Sequence, residues 1–305
     1  MARPTLLSLS TRAGRALSPS VLRAVAQRAL EGFHVSLCLH RVAPRRRPTD
    51  WQPALTIHPD ELDAAVELLL AARPGDRWLT LSFDDGYADA VAAIAARAPR
   101  WPHVRFSCFV CPQKLERRAG YRWDLVERAL AQGVTRADAL HLLDAPVDLS
   151  RENEREDLRA LAEDDDFRLA TVEEVRALQR LPNVTVGNHS NVHLRATGLR
   201  DEVVREEYRK SCDDFTRLFG PLREAAFPFG TPRAEFDARH VAMWRLVGDF
   251  FLWSTEGRPF RPEERLPRAV LPRYPVDGRL SAQELVAWVA ARAVKFRVRG
   301  AEFHY

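Results

Sequence analysis

Short apolar runs alternate with helical stretches along most of this 305-residue chain, and that alternation limits the fold more than any other feature. The segments 34–40, 79–83, 104–111, 184–187, 225–227, 249–253 and 269–276 read as strands. Between them, 60–73, 88–97, 171–179, 201–219 and 280–294 carry apolar residues at helical spacing, and Pro74-Gly75 and Gly220-Pro221 supply helix stops. Strands that alternate with helices at this rate predict a parallel α/β arrangement, most simply a barrel. The chain is read as a single domain over 1–305, with a helical extension at 1–33. A charged helical insertion at 112–168 carries no strand pattern. A composition of 46% hydrophobic and 29% charged residues is that of a soluble globular protein. No run approaches the roughly 18 apolar residues needed to span a bilayer. The first 30 residues hold scattered arginines without a continuous apolar block, so the sequence predicts no secretory signal and a cytoplasmic protein.

Within this pattern the stretch from Leu79 to Tyr87 stands apart. Leu79, Leu81 and Phe83 alternate with Thr80 and Ser82 as a strand, which then ends in Asp84-Asp85-Gly86. Two adjacent carboxylates repel each other and need water or a cation. As a turn, the segment uses Gly86 for its unusual backbone angles. As a site, one carboxylate binds a metal while the other handles a proton. The partners such a site requires follow the strand at 184–187, in His189-Ser190-Asn191-Val192-His193. Histidines four apart share a face when the segment turns helically, so both rings can reach one ion. In a parallel α/β fold the C-terminal strand ends gather on one side, which brings the two motifs together. One Asp and two His leave open positions for water and substrate, as a hydrolytic metal site requires.

These residues resemble the polysaccharide deacetylases, the NodB-homology family. Ser82-Phe83-Asp84-Asp85-Gly86 and His189-Ser190-Asn191-Val192-His193 look like the family's first two motifs, in order and about a hundred residues apart. Leu39-His40-Arg41-Val42 resembles the opening strand, Phe227-Pro228-Phe229-Gly230 the third motif, and Leu271-Pro272-Arg273 stands where the last is expected. The resemblance spans about residues 34–276 apart from the insertion. It implies a distorted (β/α) barrel of the polysaccharide deacetylase type and hydrolysis of an N-acetyl, or sometimes O-acetyl, group on a sugar. Carried over, it assigns Asp85, His189 and His193 to one divalent metal ion, usually zinc, and makes Asp84 the general base. The backbone N–H of Phe229 becomes an oxyanion donor, with Pro228 and Gly230 beside it at the substrate. The implied partner is an N-acetylated sugar, oligosaccharide or lipid-linked glycan.

Two positions depart from the family pattern. The arginine that orients the base in many members falls at Ala226, and Arg223 is out of step with it. The histidine that serves many members as general acid is replaced by Arg273, which cannot donate a proton near neutral pH. His40, at a strand end, and His240 are the candidates left for that role. The departures also define an alternative, a non-catalytic carbohydrate-binding relative of the same fold.

Other clusters read as structural. Cys108 and Cys111 form a C-x-x-C inside a strand with no second pair, so they are expected as small buried hydrophobes. Asp164-Asp165-Asp166 lacks histidines and is expected as a solvated loop. A net charge of +4 and the Arg45-Arg46-Arg47 cluster, without interleaved aromatics, do not make a nucleic-acid surface.

Overall fold

The computed structural model describes residues 14, 16–44, 51–75, 77–144, 152–266 and 269–300. The arginine cluster at 45–47 and the first thirteen residues of the N-terminal extension lie outside them. After helix α1 (Pro19–Leu30) come strand β1 (Val35–Leu39), the two-residue strands β2 (Arg41–Val42) and β3 (Thr56–Ile57), helix α2 (Pro59–Ala72), strand β4 (Leu79–Phe83), helix α3 (Ala88–Arg97) and strand β5 (Arg105–Val110). Four helices then fill the predicted insertion: α4 (Pro112–Arg117), α5 (Arg122–Ala131), α6 (Arg136–Asp144) and α7 (Glu156–Arg159). The alternation resumes with α8 (Val172–Leu178), β6 (Val184–Asn188), α9 (Asp201–Phe219), β7 (Glu224–Ala226), α10 (Ala238–Val247), β8 (Phe251–Ser254), β9 (Val270–Pro272), β10 (Tyr274–Pro275) and α11 (Ala282–Arg299). The sequence pattern predicts neither the helix at 238–247 nor the β2–β3 pair.

Every pairing in the main sheet is parallel, in the order β10-β1-β4-β5-β6-β7-β8-β9. The two outer strands of that list are one extended run interrupted at Arg273. β9 pairs with β8 through Leu271 and Trp253, and β10 pairs with β1 through Tyr274 and Leu37. The last strand therefore passes from one edge of the sheet to the other and draws it into a nearly closed barrel, with helices outside. Closure removes the exposed edges that an open sheet would present.

The barrel is filled with side chains. Phe109, Ala226, Trp253, Phe260 and Leu271 form one buried apolar cluster. Gly187 makes room for it: a Cβ there would stand 2.5 Å from the Phe109 ring. Local chemistry sets the flanking elements. Helix α8 starts in a capping box in which Thr171 and Glu174 satisfy each other's backbone N–H groups. All four cysteines are buried thiols, as expected for Cys108 and Cys111, and Asp165 and Asp166 are exposed in a loop. No helix among the described residues is long and apolar enough to cross a membrane.

Candidate active site

The C-terminal ends of β4, β6 and β9 meet at one point. Asp84, the residue after β4, still donates its backbone N–H to Leu39 O at 2.9 Å, so it stays tied to the barrel. Asp85 and Gly86 then both take left-handed backbone angles, with φ of 73°. Glycine does so freely, whereas an aspartate there holds about 1 kcal/mol or more of strain. Ser190, His193 and Phe229 share this conformation, so four of the six described non-glycine residues at positive φ belong to this site. Strain of that kind persists where surrounding contacts over-determine it.

The His189–His193 segment is held from several sides. Ser190 N–H donates to Asn188 Oδ1 at 2.7 Å and Leu194 N–H to Ser190 Oγ at 2.9 Å. Glu207, reaching in from α9, accepts from the N–H groups of Asn191 and Val192. His189 Nδ1 lies 2.9 Å from Ala226 O. That carbonyl can only accept, so it fixes the proton on Nδ1 and turns Nε2 toward Asp85.

His189 Nε2 stands 3.7 Å from Asp85 Oδ1, and His193 Nε2 stands 3.3 Å from the same oxygen. Ligand atoms bound tetrahedrally at about 2.0–2.2 Å from one ion lie about 3.3–3.6 Å apart. Asp85 Oδ1 and His189 Nε2 are buried polar atoms without a hydrogen-bond partner, and His193 Nε2 meets them at the same oxygen. Buried polar groups are almost always paired. Unpartnered atoms converging at this spacing are what a set of cation ligands looks like, so the residues fit one divalent ion.

Asp84 has a different partner. Arg273, fully buried where β9 hands over to β10, grips it with two parallel bonds, Nη1 to Oδ1 at 2.6 Å and Nη2 to Oδ2 at 2.9 Å. The guanidinium also donates to Ser82 Oγ and lies over the Phe109 ring. The Cys38 thiol donates to Asp84 Oδ2 at 3.4 Å. Burial alone would raise the Asp84 carboxyl, but Arg273 outweighs it and holds the group well below the usual carboxylate range. Asp85 lacks such a partner. Its burial, reinforced by the Asp84 charge and offset in part by His40 and His189, lifts its pKa to about 6. Burial also lowers both histidines, His193 to about 3, so both rings are neutral and available as ligands.

The remaining predicted residues divide. His40 closes β1 with a buried Nδ1 that has no hydrogen-bond partner, and its ring lies within 4.8 Å of ligand atoms of Cys38 and Asp84. Burial pulls its pKa down against the pull of both aspartates. His240 is spent elsewhere, accepting from Asp237 N–H in the cap of α10. Ala226 lies in the barrel cluster, and Arg223 is exposed. The buried Pro228 and Gly230 frame a turn that leaves Phe229 41% exposed, its ring 4.6 Å from His193. Sequence reasoning missed Tyr121 and Trp123. Their rings stack at 4.3 Å, and the Trp123 ring stands edge-on to His193 at 4.8 Å. The signal available for them was an aromatic pair, Tyr-Arg-Trp, inside an otherwise charged insertion.

Comparison with solved structures matches this architecture. A polysaccharide deacetylase of Bacillus cereus superimposes with a TM-score of 0.54 at 13% identity, over 84% of this chain and 68% of that one. The Streptococcus pyogenes deacetylase PplD, in complex with acetate, gives 0.53 at 12% identity over 83% and 96%. IcaB from Ammonifex degensii gives 0.51 at 17% identity over 85% and 97%. No protein-family profile and no curated protein matches the chain. At these identities the likeness establishes the fold: the chain has the (β/α) barrel of the polysaccharide deacetylases.

Proposed function

We propose that this protein is a metal-dependent hydrolase that removes the acetyl group from an N-acetylated sugar or glycan. One observation carries the reading: Asp85 Oδ1 and His189 Nε2, buried and unpartnered, converge with His193 Nε2 beside a carboxylate, Asp84, that Arg273 keeps ionised. A divalent ion, zinc by the character of an Asp-His-His set, would polarise the acetyl carbonyl and acidify water there.

The chain's own groups supply the rest. Asp84 accepts the proton as water attacks the carbonyl carbon; its Oδ1 keeps a lone pair beyond the Arg273 bond, whereas Oδ2 also accepts from Cys38. The exposed turn at Phe229 offers its backbone N–H to the developing oxyanion, with Pro228 and Gly230 shaping the approach. The C–N bond then breaks, and the amine leaves with one proton. His40, with a ring nitrogen within 4.8 Å of Asp84, is placed to relay to the amine the proton that Asp84 took, which Arg273 cannot do. Arg273 acts instead on Asp84, as a positioning residue. It fills the role that the family pattern assigns to position 226, so one of the two departures that favoured a non-catalytic relative falls away.

Asp84→Asn is the direct test. The variant should keep its metal and lose acetate release by at least about a hundredfold, within the usual range for a general base. Wild-type activity in that variant would remove Asp84 from the role.

A further inference from the structure

The insertion between β5 and β6 reaches the backbone behind both ligand-bearing strand ends, which a surface appendage would not do. Tyr121, 1% exposed, donates its hydroxyl to the carbonyl oxygen of Asp85 at 2.7 Å. Cys111, fully buried at the start of α4, donates its thiol to the carbonyl oxygen of His189 at 3.2 Å. Lys114, buried over the Tyr121 ring and bonded to Gly120 O, holds that ring from the other side.

The Asp85 carbonyl needs such a hold. Its residue sits at a φ of 73°, from which a non-glycine backbone tends to relax. Relaxation of φ there swings the Asp85 side chain, because the carbonyl and the Cβ turn together about the N–Cα bond. On the proposed reading, with Asp85 as a ligand, we infer that Tyr121 is a positioning residue of the metal site. It clamps the strained Asp85 backbone so that Oδ1 is pre-set against His189 and His193, and Cys111 does the same for His189. Groups behind the ligands typically govern metal affinity by ten- to a hundredfold. The Tyr121 hydroxyl is placed to act in that way without touching the ion.

The test is zinc affinity, measured on the full chain by competition with a chromophoric chelator. Tyr121→Phe removes one oxygen and keeps the ring stacked on Trp123. Its zinc dissociation constant should rise about tenfold, while the metal-free variant keeps a wild-type circular-dichroism spectrum. Acetate release at saturating zinc should return most of the way to wild type. Should Tyr121→Phe fail to fold, Cys111→Ala carries the same test with a smaller expected loss of affinity. A folded Tyr121→Phe whose dissociation constant matches wild type within twofold would overturn the inference and leave the metal site standing. Wild-type protein that takes up no zinc under the same conditions would overturn both.

Discussion

At the scale of single residues, the adjacent aspartates show how environment separates two identical groups. Asp84 and Asp85 are equally buried, yet one is gripped by a guanidinium and the other faces only neutral imidazoles. Asp84 therefore stays ionised, while metal-free Asp85 takes up a proton near pH 6. A cation must displace that proton, so zinc affinity should fall about tenfold per pH unit below about 6. His193 adds no comparable step, because burial lowers it to about 3, and burial shifts His189 in the same direction. Titrating zinc affinity between pH 4.5 and 7.5, chosen to bracket that value, checks this; a flat profile would mean that Asp85 is not a ligand. Arg273→Met should cost about 3–5 kcal/mol in a denaturant titration, since it strands a buried carboxylate. His40 has its own signature. His40→Gln should depress release from an N-acetylated sugar by one to two orders of magnitude, the scale of a general acid's contribution. It should leave an activated aryl acetate, whose leaving group needs no proton, nearly untouched. Equal losses on both substrates would exclude His40 as the acid.

At the scale of elements, the main strands were legible because each of them joins an apolar run to a helix start or a polar turn. Helix α10 was not, because its exposed Leu246 and its mixed Arg and Trp content blur the apolar face. Its cap, Asp237 with His240, is visible only once the helix is known. The proposed metal ligands could be read from short motifs, since each half lies within five residues. Arg273 could not. Its partner lies 189 residues earlier, and only the path of the last strand across the barrel seam brings the two together. The packing beneath them gives a prediction of its own. Gly187→Ala would drive a Cβ into the Phe109 ring and should destabilise the protein by about 1–3 kcal/mol. Phe109→Ala should cost about 3–5 kcal/mol by leaving a cavity under Arg273. Urea midpoints measure both, and a neutral Gly187→Ala would mean that the barrel interior has slack.

At the scale of the whole molecule, barrel closure and the candidate site are the same event. The run from Val270 to Pro275 hydrogen-bonds β8 with its first half and β1 with its second. Arg273, at the handover, points inward to Asp84. A chain that failed to close would also lose the Arg273 grip on Asp84, which couples folding to the proposed chemistry. The insertion completes the other half, walling the site with Tyr121 and Trp123. The central claim is that these parts assemble a metal-dependent deacetylase. Acetate release from a panel of N-acetylated sugars and oligosaccharides, before and after chelation of the metal, tests it most directly. The account predicts release that disappears when the metal is stripped and returns when zinc is restored. Release that continues undiminished in the stripped protein would contradict it.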